Sequence, residues 1–310
     1  MTAAVDICVC TYRRDSLTQT LESLAGQTLP GGMQLRVIVA DNDETPQRSL
    51  QIAADATRLG LDLTYIHAPA RNISVARNAC LEASSADWIA FIDDDEVAAP
   101  DWLATLMAAR AGHDIVFGVS QAHYPDPATP EWVRRGDFHS NRISGNDAAW
   151  NGYTANVLID RRFIALHRLR FDPALGQTGG EDTLLFHDAH RAGARFGYAP
   201  AAIVHEDTPL ARAGWRWLAL RRFRSGQIHH LLLRRQGGGA LAGLTAAPKA
   251  LACFAQATLL LPRPDRAAAA GLRGMLHVGV LASMLGQAPY REYGDVGAEA
   301  IDSEAMAREI

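Results

Sequence analysis

The sequence predicts an α/β fold, a mostly parallel sheet between helices, followed by a helical and partly apolar appendage. Three observations predict it. Short apolar runs of strand length alternate with stretches whose apolar residues recur at helical spacing. Three of those runs end abruptly in polar residues, at Thr11 and Arg14, at Asp41 and Asp43, and at Asp93 and Asp95; in parallel α/β sheets, ligands bind beyond the carboxyl ends of strands. After residue 210 the alternation stops, and basic and apolar stretches replace it.

Taken in order, residues 5–10 read as a buried strand that breaks at Thr11-Tyr12-Arg13-Arg14. Leu17, Leu21 and Leu24 recur at helical spacing behind Asp15 or Ser16 as cap. A second strand covers 35–40, a helix 49–59, and a third strand 61–67. Ser74 is the expected cap of a helix reaching about residue 83, and 88–92 is the strand that delivers Asp93-Asp94-Asp95-Glu96. Residues 114–124 form a further strand. Residues 125–151, rich in Pro, Gly, Asn and aromatics, predict an irregular region that shapes a cleft. Strand returns at 152–159. The Gly-rich stretch 176–180 leads into a helix over 181–192, and 201–204 is a short strand ending at His205-Glu206-Asp207.

The last third reads differently. Residues 215–235 form a basic, aromatic helix carrying Arg221, Arg222 and Arg224. Two apolar segments follow, 240–261 and 267–286, the first interrupted by Pro248-Lys249 and the second by Arg273 and His277. Neither is a convincing span of about 20 apolar residues. Both predict helices that either lie in a membrane interface beside an arginine collar or pack on the domain or on a second subunit.

Composition narrows the class. With 48% hydrophobic and 21% charged residues in 310, the chain is an ordinary globular one. The net charge of −4 excludes a general nucleic-acid binder. The charge is unevenly spread: residues 211–273 hold 11 Lys/Arg against the single acid Asp265, so the acidic chemistry and the basic surface lie in different parts of the chain. Cys8, Cys10, Cys80 and Cys253 show no zinc-type spacing and read as free thiols. The N-terminus enters a strand directly, without a basic region followed by an apolar stretch. That predicts no signal peptide and a cytoplasmic protein on a membrane face.

The chemistry centres on the acidic strand end. A buried strand cannot present several carboxylates together without a counter-charge, and the simplest one is a divalent cation. Hard oxygen ligands suit Mg²⁺ or Mn²⁺, which keep open positions for phosphate oxygens. Asp93 and Asp95 are the candidate ligands, with His205 as a further ligand to metal or diphosphate, and which two of Asp93-Asp94-Asp95 hold the ion stays open. Asp41 can accept hydrogen bonds from a base or ribose, and Arg14 and Arg77 can add positive charge near phosphate. Asp182, following Gly179-Gly180-Glu181, is placed as a general base, with Glu181 binding hydroxyls of donor or acceptor.

The ordered set resembles the family 2 glycosyltransferases of the GT-A fold. The matching pieces are Val9 to Arg14, Val37 to Asn42, Asn72 with Ala76-Arg77-Asn78, Phe91 to Asp95, Gly179 to Asp182, and His205. More narrowly, Gly136-Asp137-Phe138-His139-Ser140, Arg221 to Gly226 and the apolar tail resemble the ExoM type, bacterial exopolysaccharide glucosyltransferases of the succinoglycan pathway. The resemblance implies a UDP-sugar donor, UDP-glucose, and a growing oligosaccharide on a polyprenyl diphosphate as acceptor. It implies Thr11, Tyr12, Arg14 and Asp41 at the nucleotide, Asp93 near ribose and metal, Asp95 on the metal, and Asp182 as base. Arg221, Arg222 and Arg224 match an arginine segment expected at diphosphate or acceptor. Transfer would invert the anomeric centre. The domains expected are 1–210 catalytic, 211–297 a basic, apolar helical extension at the membrane interface, and 298–310 a flexible tail. Two other readings share some of these features. A sugar nucleotidyltransferase would need a Gly-rich phosphate loop after the first strand, where Cys10 to Arg14 stands instead; a non-catalytic scaffold of a polysaccharide assembly complex would not need Asp182 beside the metal carboxylates.

Overall fold

The computed structural model describes residues 4–29, 31–143, 152–235 and 239–288. Much of the expected irregular region is described, but residues 144–151 of it and the expected tail 298–310 lie outside the described residues. In chain order the elements are β1 (Ala4–Thr11), α1 (Leu17–Ala25), β2 (Gln34–Asp41), α2 (Ser49–Leu59), β3 (Leu63–His67), α3 (Ile73–Ala83), β4 (Trp88–Asp93) and β5 (Glu96–Ala98). Then come α4 (Trp102–Ala109), β6 (Ile115–His123), α5 (Glu131–Gly136), β7 (Asn156–Asp160), α6 (Arg161–Leu166), α7 (Glu181–Arg191) and β8 (Phe196–Asp207). A 3₁₀ turn (Leu210–Arg212) precedes α8 (Trp215–Arg235), α9 (Gly239–Leu259) and α10 (Pro264–Met284).

Among the described residues the chain forms two compact units. The first takes residues up to 122, 140–177 and 181–207; the second takes 123–139, 178–180 and those from 208 on. The first unit holds a sheet ordered β3-β2-β1-β4-β7-β6-β8-β5. Strands β3, β2, β1 and β4 pair in parallel. From β4 outward the sheet becomes mixed: β7 pairs antiparallel with β4 and β6, and β5 antiparallel with β8. The parallel part of the expected, mostly parallel sheet is its N-terminal half.

Both faces of that half are covered, which is why its strands read as continuous apolar runs rather than alternating ones. Val5, Ile7, Val9, Val37 and Val39 pack with Leu17, Leu21, Ile52 and Leu106 on one side. Cys8, Ile38, Ile89 and Phe91 pack with Ala76, Cys80, Leu185 and Phe186 on the other. Cys8, Cys80 and Cys253 are buried free thiols, and Cys10 is half-buried. Asn156 locks the mixed half from inside. Its Oδ1 accepts from Trp102 Nε1 at 2.8 Å, and its Nδ2 donates to the carbonyls of Val119 and Ala202 at 3.0 and 2.9 Å. β8 runs far longer than the expected 201–204, because its alternation of buried and exposed residues hides it from an apolar-run reading.

In the second unit α8 and α10 meet backbone to backbone. A Cβ on Gly226 would lie 1.9 Å from the Leu276 carbonyl oxygen, and one on Gly279 1.9 Å from that of Phe223. α10 departs from expectation: by length and composition alone it could cross a membrane, since Arg273 is the single charged residue after Arg266 in that helix. Yet Ala268, Leu272, Gly274 and Val280 are buried within the protein.

His139 is buried in this unit and stacks on Trp217, with ring centroids 5.3 Å apart. A carbonyl only accepts, so Nε2–H donates to Arg212 O at 3.2 Å and Nδ1 accepts from Tyr124 Oη at 3.0 Å. Burial, with Arg221 and Arg212 adding repulsion, lowers its pKa to about 4. The unfolded chain then binds a proton that the fold excludes, and this stability is lost as pH falls from about 6.5 towards 4. Unfolding free energy should drop through that window by up to about 1.4 kcal/mol per pH unit more in the natural protein than in His139→Gln. Denaturant titrations at several pH values measure the difference in slope.

Candidate active site

Parallel register builds the site. Thr11 lies beside Asp41, and Cys10 beside Asp93, so the carboxyl ends of β1, β2 and β4 form one edge. Thr11 is buried, and its hydroxyl oxygen has no hydrogen-bond partner among the described residues. Asp41 is buried but oriented: Tyr65 Oη donates to Oδ2 at 2.8 Å, and the Asp43 backbone N–H to Oδ1 at 3.0 Å. Burial and Asp41 both raise the Tyr65 pKa, which keeps that phenol a neutral donor. After β1 the chain turns through Arg13 at φ 55°. Arg13 grips Asp43 with Nε and Nη2 at 2.9 and 2.8 Å, which holds the Asp43 pKa below the usual range. Tyr12 carries the Arg13 guanidinium 5.3 Å from its ring centroid, and Arg14 Nη2 lies 3.8 Å from Asp95 Oδ2.

The acidic run divides by exposure. Asp93 keeps 46% of its side chain exposed and Asp95 24%, whereas Asp94 is 8% exposed. Burial and then Asp95 raise the Asp94 pKa to about 7. Glu96 is fully sunk at the start of β5: Ser120 Oγ donates to Oε1 at 2.5 Å, and Oε2 accepts the Asp93 N–H at 3.1 Å. Burial, with the Asp93 charge, pushes the Glu96 pKa well above its ordinary value. The structure thus turns Asp93 and Asp95 towards solvent and uses Asp94 and Glu96 to shape the turn.

A buried arginine holds the other half of the site. Arg77, on α3, pairs with Glu181 and lies 3.7 Å from Asp93, with its guanidinium 5.5 Å from the Phe171 ring centroid. Burial alone would lower its pKa; Glu181 and Asp93 more than reverse that, so it stays charged. Glu181 opens α7, and burial raises its pKa to about 7 against the pull of Arg77. Its Oε2 has no hydrogen-bond partner among the described residues. Asp93 is walled in enough for its pKa to rise to about 6, though water reaches nearly half its surface; Arg77 opposes this rise, and Asp95 and Asp182 add to it. Asp182 therefore shares the electrostatic neighbourhood of Arg77, Asp93 and Glu181. Its Oδ1 accepts from the Thr183 N–H at 2.6 Å and Thr183 Oγ1 at 3.3 Å.

The loop leading to Glu181 is fastened to α3. The cap of α3 is Asn72, not the expected Ser74: its Oδ1 accepts from the Ser74 and Val75 N–H groups, and its Nδ2 donates to Pro173 O at 2.8 Å. Ser74 is buried and donates to Asp172 O at 2.9 Å. Asn78 exchanges two hydrogen bonds with the backbone of Phe171, at 2.8 and 3.0 Å. A Cβ on Gly176 would meet Asn72 Oδ1 at 1.8 Å, so only glycine lets the loop come this close.

Two further groups of expected residues lie on β8 and α8. His205 is exposed on β8 opposite Val97, so it shares a sheet face with Val97, while Glu96 faces Glu206 on the other. Among the described residues no three His, Cys, Asp or Glu side chains gather as a metal cage, so His205 is not assembled with Asp93 and Asp95. Arg221, Arg222 and Arg224 lie on α8 in the second unit, where the Arg221 guanidinium sits 5.4 Å from the Trp217 ring centroid. Two half-exposed carboxylates with like charges beside them fit a hard dication that takes its remaining ligands from phosphate and water.

These features match known proteins. The sequence model described as glycosyl transferase family 2 matches residues 6–168. The chain is a family 2 glycosyltransferase. Over 303 residues it is 42% identical to the succinoglycan biosynthesis protein ExoM of Rhizobium meliloti (strain 1021), covering 94% of this chain and 96% of that one. The mannosyltransferase PcManGT from Pyrobaculum calidifontis, solved with GDP-Man and Mn²⁺, superposes with TM-score 0.64 at 18% identity, over 93% of this chain and 89% of that one. S. aureus TarS 1–349 in complex with UDP-GlcNAc gives TM-score 0.54 at 16% identity, over 93% of each chain. At these identities the solved structures establish the fold of this glycosyltransferase, and it is theirs.

Asn72→Ala removes a helix cap and the fastening to Pro173 together. It should destabilise the protein by about 1–2 kcal/mol and raise proteolytic nicking between residues 171 and 180. Limited proteolysis with denaturant unfolding checks both.

Proposed function

We propose that this glycosyltransferase moves glucose from UDP-glucose to a hydroxyl of an oligosaccharide carried on polyprenyl diphosphate, with inversion, in the assembly of a succinoglycan-type bacterial exopolysaccharide. It would act in the cytoplasm, on the inner face of the cytoplasmic membrane. The observation that carries the reading is that Asp93, at the parallel strand ends, shares its surroundings with Asp95, Asp182, buried Arg77 and Arg14. The 42% identity to ExoM supports the pathway. The neighbours solved with UDP-GlcNAc, and with GDP-Man and Mn²⁺, support a nucleotide-sugar donor and a divalent ion.

In this reading Asp41, held by Tyr65, accepts from the nucleotide base or ribose beside Thr11 and Tyr12. Asp93 and Asp95 would hold Mg²⁺ or Mn²⁺, which when bound neutralises charge on the leaving diphosphate. Arg14 stands beside Asp95 to add positive charge. Asp182 takes the proton of the acceptor hydroxyl as its oxygen bonds to the anomeric carbon and the bond from that carbon to the UDP oxygen breaks. Arg77 keeps Glu181 and the start of α7 against the end of β4. His205 would be a further ligand to diphosphate, and Arg221, Arg222 and Arg224 would contact diphosphate or acceptor.

The test is UDP release from a panel of UDP-sugars, with Mn²⁺, Mg²⁺ or chelator, over membranes containing lipid-linked oligosaccharide. Turnover should require the ion and favour UDP-glucose. Asp182→Asn should lower kcat by roughly 10²–10⁴-fold with donor binding retained, and Asp95→Asn should raise the ion concentration needed. Turnover unchanged in Asp182→Asn would remove the base from this residue.

A further inference from the structure

Both apolar segments of the tail read alike in sequence, but the fold treats them differently. α10 buries Leu272 and Val280 and sets Gly279 against the Phe223 backbone, and most of its other large apolar residues are half-buried. α9 presents a continuous outward stripe. Leu244, Leu251, Leu259 and, just past the helix, Leu261 are 69% to 82% exposed. In the helix those leucines recur at intervals of seven and eight, close to two turns, so they share one face. Alanines and Pro248 fill the stripe between them, while Ala246, Ala250 and Cys253 face inward and are buried. From Leu244 to Leu259 the stripe extends about 23 Å. Thr258, at its edge, returns its hydroxyl to Phe254 O at 3.0 Å, which suits an apolar setting.

The charges around the stripe are basic apart from Asp265. Lys249, Arg263 and Arg266 are exposed beside it or at its end, and Arg234 and Arg235 are exposed at the end of α8. Residues 211–273 carry 11 Lys/Arg and one acid in a chain whose net charge is −4. An apolar stripe with a basic rim complements the acyl chains and headgroups of an anionic bilayer surface. We propose that the outward face of α9, and not α10, is the membrane-contact surface of this protein, lying in the plane of an anionic leaflet. This gives a contact surface to the membrane side of the function proposed above and rests on that reading only for its purpose, since the surface itself is tested without sugar chemistry.

The experiment is flotation of the full chain with phosphatidylcholine vesicles and with vesicles containing anionic phosphatidylglycerol, at low and high salt. Three forms are compared: the natural chain, the double variant Leu251→Glu with Leu259→Glu, and Leu166→Glu as an exposed control in the first unit. Circular dichroism and size exclusion are run on each. The natural chain and the control should partition onto anionic vesicles, more weakly at high salt, and the double variant should lose at least about tenfold in partition with its melting temperature unchanged. Three outcomes would overturn the proposal: no partition of the natural chain, partition only after residues 289–310 are removed, or a dimer that the double variant splits with no effect on vesicle binding. UDP release from soluble donor in the same double variant separates the two readings. Release retained while flotation is lost leaves the transferase site standing, and flotation retained without release in any form faults the donor reading alone.

Discussion

The active site depends on one buried cation. Arg77 stands among Glu181, Asp93 and Asp182, in a place where carboxylates crowd and water is scarce. Taking a guanidinium out of water is costly unless carboxylates surround it, and the carboxylates in turn tolerate burial because it is there. Mutual need of this kind makes the pair a geometric fixture more than a source of net stability. It joins the end of β4 to the start of α7, two elements nearly ninety residues apart in sequence, and so sets the separation between the candidate ion ligands and the candidate base.

Polar fastenings around that pair transmit the constraint to the backbone. Asn72, Ser74 and Asn78 bind the loop from Phe171 to Gly176 onto α3, the helix that bears Arg77. Glu96 and Ser120 hold the turn that exposes Asp93 and Asp95 and buries Asp94. Tyr65 and the Asp43 backbone fix Asp41 at the end of β2. Each candidate group thus projects from a strand or helix end whose position is set by hydrogen bonds, the arrangement that preorganised catalysis requires.

Much of this was legible in the sequence, for identifiable reasons. The parallel strands are buried on both faces, so they announce themselves as apolar runs, and their polar ends mark Thr11, Asp41 and Asp93 directly. What the sequence hid obeys other rules. β5 has three residues, too few for any period. β8 alternates without an apolar run, so only its middle was visible. Glu96 reads as one more solvated acid after Asp95, and only burial beneath Ser120 separates it from its neighbours. Asn72 and Ser74 are both good cap residues two apart, and the choice fell to the one whose amide could also reach Pro173. His205, expected as a ligand to metal or diphosphate, is exposed on β8 opposite Val97.

The interdependence of Arg77 and Glu181 is tested most directly by a double-mutant cycle on unfolding free energy. The four proteins are the natural chain, Arg77→Met, Glu181→Gln and the double variant. Arg77→Met alone should cost about 3–5 kcal/mol, because it strands buried carboxylates, and the double variant should cost at least about 1 kcal/mol less than the sum of the singles. Strictly additive losses would mean that the two side chains do not depend on one another, and Arg77 would not be the fixture on which the site is built.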